Sequence, residues 1–449
     1  MIATIQTVLI YVFGFAILFG VLVFLHELGH FVIAKWLGFE VEVFSLGFGP
    51  RVWGFRRRET EYRVSLIPLG GYVRVAGQDR MDDPRDANPG AFYNRPLWQQ
   101  FTVVVAGGVI NLLLGPVLIG AAYWVGFNEP AFLRDPAVIA WVFPGSPAAT
   151  AGIRTGDRIV RVGDQPVRTW QDVQSAMLEN LRMDLVLTVQ RDGRTKEVRI
   201  RGITRPRTGQ YFYGFAPFPP AVVDAVEPDT PALRGGIRPG DVIFKVGNRW
   251  ILNVRELQGV LRKAADRAVE LHVFRDGAVH ILRVRPFYDT ELHMWRLGIR
   301  LRSAVRYIRV RYSIGDALVR GVHETVWSAG LFFRAVRNML TGELSIRTLS
   351  GPIEIARFAG SALLIGIATF LRMMGLISVQ LGIINLLPIP ALDGGHAAMI
   401  LISGCMRALT GRPLSPRVRE WVTIIGVALL IGLTILVISL DIMKVRGGG

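Results

Sequence analysis

His26, Glu27 and His30 stand together in FLHELGHFVIA, an otherwise apolar stretch from Phe24 to Ala34. Two histidines four apart share one face of a helix, so both imidazoles can reach one metal ion. The glutamate beside the first histidine falls just off that face, close enough to touch a metal-bound water rather than the metal. H-E-x-x-H on a helix is the signature of a metal hydrolase with glutamate as general base. The plainer alternative is a pair of satisfied structural histidines. It is weak inside hydrocarbon, where such a side chain costs a few kcal/mol or more unless it faces a partner or a cavity.

A catalytic zinc takes three protein ligands and keeps one position open, so a third ligand is expected. His272, His280, His293 and His323 fall in polar or charged surroundings and read as surface residues. A better candidate lies in GIINLLPIPALDGGHAAM, Gly382 to Met399, which also holds His396. Pro388 and Pro390 interrupt the apolar run by removing backbone donors, and Gly394 and Gly395 permit turns closed to other residues. Asp393 stands at that break. It either caps the helix starting near Gly394 or completes the metal site, and a zinc lacking one ligand favours the second.

These groups need apolar elements to hold them. A membrane span takes about 20 mainly apolar residues. Four stretches qualify: Thr7 to Phe24 continued through HELGH, Phe101 to Phe127, Ala362 to Leu387 with Arg372 inside it, and the uncharged Trp421 to Leu440. The first lacks Lys or Arg before Lys35 and has no small-residue cleavage site, so it reads as a retained span, not a signal peptide. Ten Lys and Arg lie from Lys35 to Arg95, and Arg407, Arg412, Arg417 and Arg419 follow the third span. Both loops therefore read as cytoplasmic, with both termini and the long central segment outside. A net charge of +17 is no sign of nucleic-acid binding here. Only five basic residues are Lys, and the arginines are spread along the chain rather than gathered in a stripe; some lie beside spans, where anionic headgroups attract them. The single Cys405 excludes internal disulfides.

The central segment is duplicated. VFPGSPAATAGIRTGDRIVRVGDQPV (142–167) aligns with VEPDTPALRGGIRPGDVIFKVGNRWI (226–251) at an offset of 84 residues. Each copy continues through a helical stretch into alternating strands joined by an RDG turn. The pattern resembles PDZ domains of the circularly permuted kind attached to bacterial envelope proteases, which take extended peptides at a sheet edge. Either copy could instead be a spacer. Within 41–75, Tyr62, Val64 and Leu66 alternate with Glu61, Arg63 and Ser65, the period of a half-buried strand. That segment reads as a small sheet beside the spans or a hairpin on the headgroups. Residues 307–347 carry apolar groups at helical spacing and read as an amphipathic helix in the interface plane.

The fold expected is a polytopic α-helical membrane protein with four transmembrane helices, a membrane-associated β-sheet and two β-rich permuted PDZ domains between spans two and three. Its parts are 1–38, a cytoplasmic-side or re-entrant β segment 39–96, 97–127, PDZ domains 128–218 and 219–302, a linker 303–361, 362–404 with LDGGH, a loop 405–419 and 420–441.

HELGH, the AGG-x-x-N stretch ending at Asn111, the duplicated PDZ-like segment and N-x-x-P-x-P-x-LDGGH together resemble the site-2 protease family, closest to its RseP-type bacterial regulators of the envelope stress response. The resemblance covers nearly the whole chain. It implies zinc held by His26, His30 and Asp393, Glu27 as base, and hydrolysis of a peptide bond inside a transmembrane helix. It also implies substrate contacts from Asn385 and Asn111, and strand pairing from the 41–75 sheet. The PDZ pair would bind a peptide or protein and act as a size filter. Substrates would be single-span proteins of the anti-sigma factor type and remnant signal peptides, cut in the bacterial inner membrane by a centre toward the cytoplasm, with the PDZ pair periplasmic. One residue departs from the pattern: Gly108 replaces the proline of A-G-P-x-x-N, which puts the local kink in doubt. A transporter with accessory domains and a non-catalytic scaffold are the rival readings. Glu27 speaks against both, since a transport site needs no base and a decayed site would not keep one.

Overall fold

The computed structural model describes residues 2–78, 88–179, 183–205, 210–290, 292–302, 305–412 and 414–448. The chain forms two compact units. One comprises Met1–Phe127, Val310–Phe333 and Leu349–Ile442; the other comprises Asn128–Arg309, Arg334–Thr348 and Met443–Gly449. Among the described residues four helices are long and apolar enough to cross a membrane: Ile5–Trp36, Leu97–Val125, Ile367–Leu386 and Arg417–Met443.

The first unit opens with helix α1 (Ile2–Trp36), whose 35 residues extend about 52 Å at 1.5 Å per residue. Strands β1 (Val41–Arg57) and β2 (Thr60–Val75) follow. Both are bent, so they make a four-stranded mixed sheet rather than a hairpin, with its two inner strands parallel and each outer strand antiparallel to its neighbour. Phe44 pairs with both Tyr62 and Val73, and Val64 pairs with both Leu46 and Trp53. The order across the sheet is therefore 51–57, 60–67, 41–48, 71–75, and among the described residues no further strand pairs beyond 71–75. Gly47 and Gly49, at φ +90 and +87, turn β1 back on itself.

Along 60–67 the alternation runs opposite to that of a water-soluble strand, whereas Val41, Val43 and Val75 are buried in the ordinary way. Ser45 and Ser65 are buried, with their hydroxyls 3.0 Å apart, while Leu66 is 64 % and Trp53 62 % exposed. The expected half-buried strand is thus present with its apolar members outward. Periodicity finds the two faces of a strand but not which one meets solvent.

Helix α2 (Leu97–Val125) begins and ends slightly before the expected span. In the second unit, the first repeat carries helices α3 (Pro147–Thr150) and α4 (Trp170–Glu179), and the second carries α5 (Pro231–Arg234) and α6 (Val254–Ala264). Their strand pairing is duplicated at the same offset: Phe215 faces Val142 in the first repeat and Ile299 faces Val226 in the second.

The buried ion pairs are duplicated too. Arg191 Nε and Nη2 donate to Asp157 at 2.6 and 2.7 Å and Nη2 reaches the Gly152 carbonyl; Arg275 does the same to Asp241 at 2.7 and 2.8 Å and to Gly236. These are the shared Asp of GD and the Arg of RDG, so the repeat is kept by bidentate geometry as well as by turns. Replacing Asp157 by alanine strands a guanidinium and is expected to cost the second unit about 3–5 kcal/mol, read as a lower calorimetric transition. Burial works to raise the Asp157 carboxyl, but the Arg191 bonds and the Arg154 amide outweigh it and hold it below the usual range. The stabilisation is therefore complete above an unfolded value near 3.9 and fades as pH falls through the lower folded value.

The two copies are not separate beads. Trp141, Phe143 and Phe212 of the first share a buried cluster with Val242 and Phe244 of the second, with Trp250 and Phe274 packed against it. Phe143 lies 5.9 Å from Trp250, edge to face, and Trp141 lies 5.4 Å from Phe274.

Helix α7 (Ile314–Leu340) is followed by α8 (Pro352–Ile365), α9 (Ile367–Leu386), α10 (Asp393–Thr410) and α11 (Pro416–Gly448). The first part of α7 does not lie free in an interface plane: it is bundled against α2. A Cβ on Gly321 would sit 2.8 Å from the Gly120 nitrogen. Beside it, buried Glu324 accepts from Tyr123 Oη at 2.8 Å and from Arg372 Nε at 2.8 Å, which partners the one charge in the third span. An amphipathic period cannot tell a lipid surface from a neighbouring helix. The third span also starts later than Ala362, because Gly366 at φ +142 separates α8 from α9.

Helices α2 and α9 run antiparallel on two glycine pairs seven residues apart. A Cβ on Gly382 would meet the Gly108 carbonyl at 2.8 Å, and one on Gly375 the Gly115 carbonyl at 3.0 Å. Close backbone approach through small residues is how helices pack where no hydrophobic force acts between them. At the far end of α11, buried Asp441 accepts from the backbone nitrogens of Gly351, Ile353 and Glu354 at 2.9–3.1 Å, capping α8.

Candidate metal centre

Helix α1 presents His26 and His30 on one face, and Asp393 enters at the first residue of α10. The loop before it is held tightly. A Cβ on Gly395 would lie 2.8 Å from Pro390 Cα, and one on Gly426 of α11 2.5 Å from the Pro390 carbonyl. Ala391 is forced to φ +73, a left-handed conformation that costs a non-glycine residue about 1–3 kcal/mol and clusters at functional sites.

Three atoms converge. His26 Nε2 and His30 Nε2 are 3.2 Å apart, and Asp393 Oδ2 lies 3.1 and 3.3 Å from them. Four tetrahedral ligands at zinc bond lengths of about 2.0–2.1 Å are about 3.3–3.4 Å apart. Two imidazole nitrogens and a carboxylate oxygen are also donors that suit zinc. The residues fit the ion.

Helix α2 forms the back of the centre. His30 Nδ1 donates to the Val103 carbonyl at 2.8 Å. A Cβ on Gly107 would overlap His30 Nε2 and come within 2.7 Å of His26 Nε2. Asn111, fully buried, sets its side-chain amide 3.1 Å from His26 Nδ1, and Ser378 of α9 donates to the Asn111 backbone carbonyl at 2.8 Å. Asn111 therefore presents no surface to a substrate. Helix α2 continues unbroken through Gly108, whose missing side chain makes room for Leu386 at 2.7 Å.

Glu27 is half-buried beside the open edge of the sheet. A Cβ on Gly71 would lie 3.5 Å from Glu27 Cγ, and the Val73 backbone amide is directed at its carboxylate. Asn385 lies half-buried in the last turn of α9, its amide without a hydrogen bond among the described residues. His272 pairs with Glu270, and His396 Nδ1 donates to the Leu392 carbonyl. His280, His293 and His323 are exposed. Sequence reasoning missed Gly107. Its only signal was a Gly-Gly step inside a helix, where glycine is otherwise unfavourable.

An H-E-x-x-H pair on one apolar helix, closed by a carboxylate from a broken one, makes a candidate metallopeptidase centre on helices long and apolar enough to cross a membrane. The chain belongs to peptidase family M50, whose family model matches residues 14–433. It is similar over nearly its whole length to bacterial proteins. One from Ralstonia nicotianae, provisionally named a zinc metalloprotease, is 33% identical over 474 residues, covering 98% of both chains. A Haemophilus influenzae protein named "Regulator of sigma E protease" is 30% identical over 450 residues, covering 96% of this chain and 98% of the relative. A solved PDZ domain from Listeria monocytogenes aligns with 19% of this chain and 88% of its own at 16% identity, with a TM-score of 0.18.

Proposed function

We propose that this chain is a zinc-dependent intramembrane endopeptidase of the site-2 type, cutting within the apolar span of single-span bacterial membrane proteins. The observation that carries this reading is the convergence of His26, His30 and Asp393 next to Glu27 at an open sheet edge. Zinc bound there supplies Lewis acidity and brings the pKa of water toward 7.

The chain's own residues do the rest. Glu27 takes the proton from the attacking water and returns it to the departing amine. A helical substrate hides its carbonyls in its own hydrogen bonds and must unwind first. Strand 71–75, flanked by another strand on one side only among the described residues, offers replacement backbone bonds and lays the substrate strand past Glu27. Asn385, its amide uncommitted, donates to the substrate carbonyl as charge builds there. The outward apolar residues of the sheet suit hydrocarbon, and its buried serines satisfy each other.

The duplicated segment reads as two permuted PDZ domains that exclude substrates with intact outer domains. Substrates of the anti-sigma factor type and remnant signal peptides fit that filter. By the basic loops, the metal centre faces the cytoplasm and the repeats lie outside. The test is cleavage of a single-span substrate by the purified protein in liposomes, with products placed by mass spectrometry. Cutting is expected inside the apolar span, abolished by a chelator and restored by zinc. A cut outside the span, or one indifferent to metal, would refute the reading.

A further inference from the structure

We propose that Asn111 is a positioning residue for the metal centre: its side-chain oxygen accepts from His26 Nδ1–H and so keeps His26 Nε2 free to bind metal. This rests on the zinc reading above. A neutral imidazole carries its proton on one nitrogen and a lone pair on the other, and the partner of the first decides which. For His30 the partner is a backbone carbonyl, Val103 O at 2.8 Å. A carbonyl only accepts, so His30 Nδ1 holds the proton and Nε2 the lone pair.

His26 must adopt the same tautomer, because its Nε2 is the atom aimed at Asp393 and at His30 Nε2. Its Nδ1–H then needs an acceptor. The Asn111 amide lies 3.1 Å away, in a place fully closed to water. The two ends of an amide are nearly isosteric, and hydrogen bonding decides which faces a neighbour. With its nitrogen toward His26, Asn111 would force the proton onto Nε2, where it would block the metal. One end of the buried amide lies without a partner among the described residues in either orientation, so the lone pair needed on Nε2 decides which end faces His26. With the amide oxygen toward His26, Nδ1–H has its acceptor. Helix α2 thus orients both ligands, His30 from a backbone carbonyl and His26 from a side chain two turns on. Partners of this kind typically change metal affinity 10–100-fold.

The test compares purified full-length protein, wild type and variants, by zinc content and by the rate of zinc loss to a chelator. Thermal unfolding in metal-free buffer serves as the fold control. Asn111→Leu keeps the branched shape and removes the acceptor, and is expected to lose zinc 10–100-fold more readily. Asn111→Asp keeps an acceptor on His26 and is expected to stay within a few-fold of wild type. Asn111→Ala separates this from a purely steric role: it relieves crowding at the buried site yet lacks the acceptor, so it is expected to lose zinc as readily as Asn111→Leu, whereas a steric role predicts that it holds zinc better than Asn111→Leu. Zinc held by Asn111→Leu as tightly as by wild type, or lost by Asn111→Asp as fast as by Asn111→Leu, overturns the proposal. If Asn111→Leu fails to fold, Asn111→Val against Asn111→Asp makes the same comparison. Wild-type protein without zinc would instead overturn the metal reading beneath it.

Discussion

Glu27→Gln is expected to abolish proteolysis while leaving both the fold and the zinc content at wild-type values. Glutamine matches glutamate in size and can still accept from the Val73 amide, so the edge of the sheet keeps its contact. It cannot take a proton from water. General base catalysis is typically worth about 10²–10⁴-fold, and a loss of that size with unchanged metal separates chemistry from assembly. His26→Ala is the matched control, expected to lose activity and zinc together. Equal cleavage by Glu27→Gln and wild type, measured on one substrate in liposomes, would remove Glu27 from the mechanism.

Gly107→Ala is expected to be nearly as damaging through a single methyl group. Its Cβ would fall 2.7 Å from His26 Nε2 and nearer still to His30 Nε2, distances that real carbon contacts do not reach. Either α2 retreats or the imidazoles turn away from Asp393. Weaker zinc retention and at least a hundredfold lower activity should follow, since about 1 Å of misplacement can cost that much. The helix itself should gain, because alanine is about 1 kcal/mol better than glycine within a helix. Better helix stability with worse metal binding is a pairing that general unfolding does not produce. Elemental analysis beside a melting curve reads both at once.

Much of the centre could be read from the chain alone. Four-residue spacing is enough to put His26 and His30 on one face, and a carboxylate at a proline-broken helix is conspicuous in apolar company. The partners supplied by α2 were not legible, because Val103 contributes only its carbonyl and Gly107 only the lack of a side chain. Attention fell on Gly108, where a familiar proline was missing, whereas the next residue back is the one beneath the histidines. The repeat was plain from its Gly-Asp steps. The doubled-back sheet was hidden, since each of its long strands changes partner midway, a matter of tertiary register. Helix α7 holds a related surprise: its apolar stripe is real, but Leu318, Val322 and Val326 stay exposed, and the face set against its neighbours is the small and polar one of Ala317, Gly321, Glu324 and Ser328.

The aromatic cluster shared by the two repeats makes them one object to evolution and to the experimenter alike. Excising either copy would lay bare a greasy wall of tryptophan and phenylalanine that no headgroup or solvent shell would tolerate, so a lone copy should clump where the tandem stays dispersed. Loss or swapping of a single copy during descent would meet the same penalty, and the pair is bound to be inherited together.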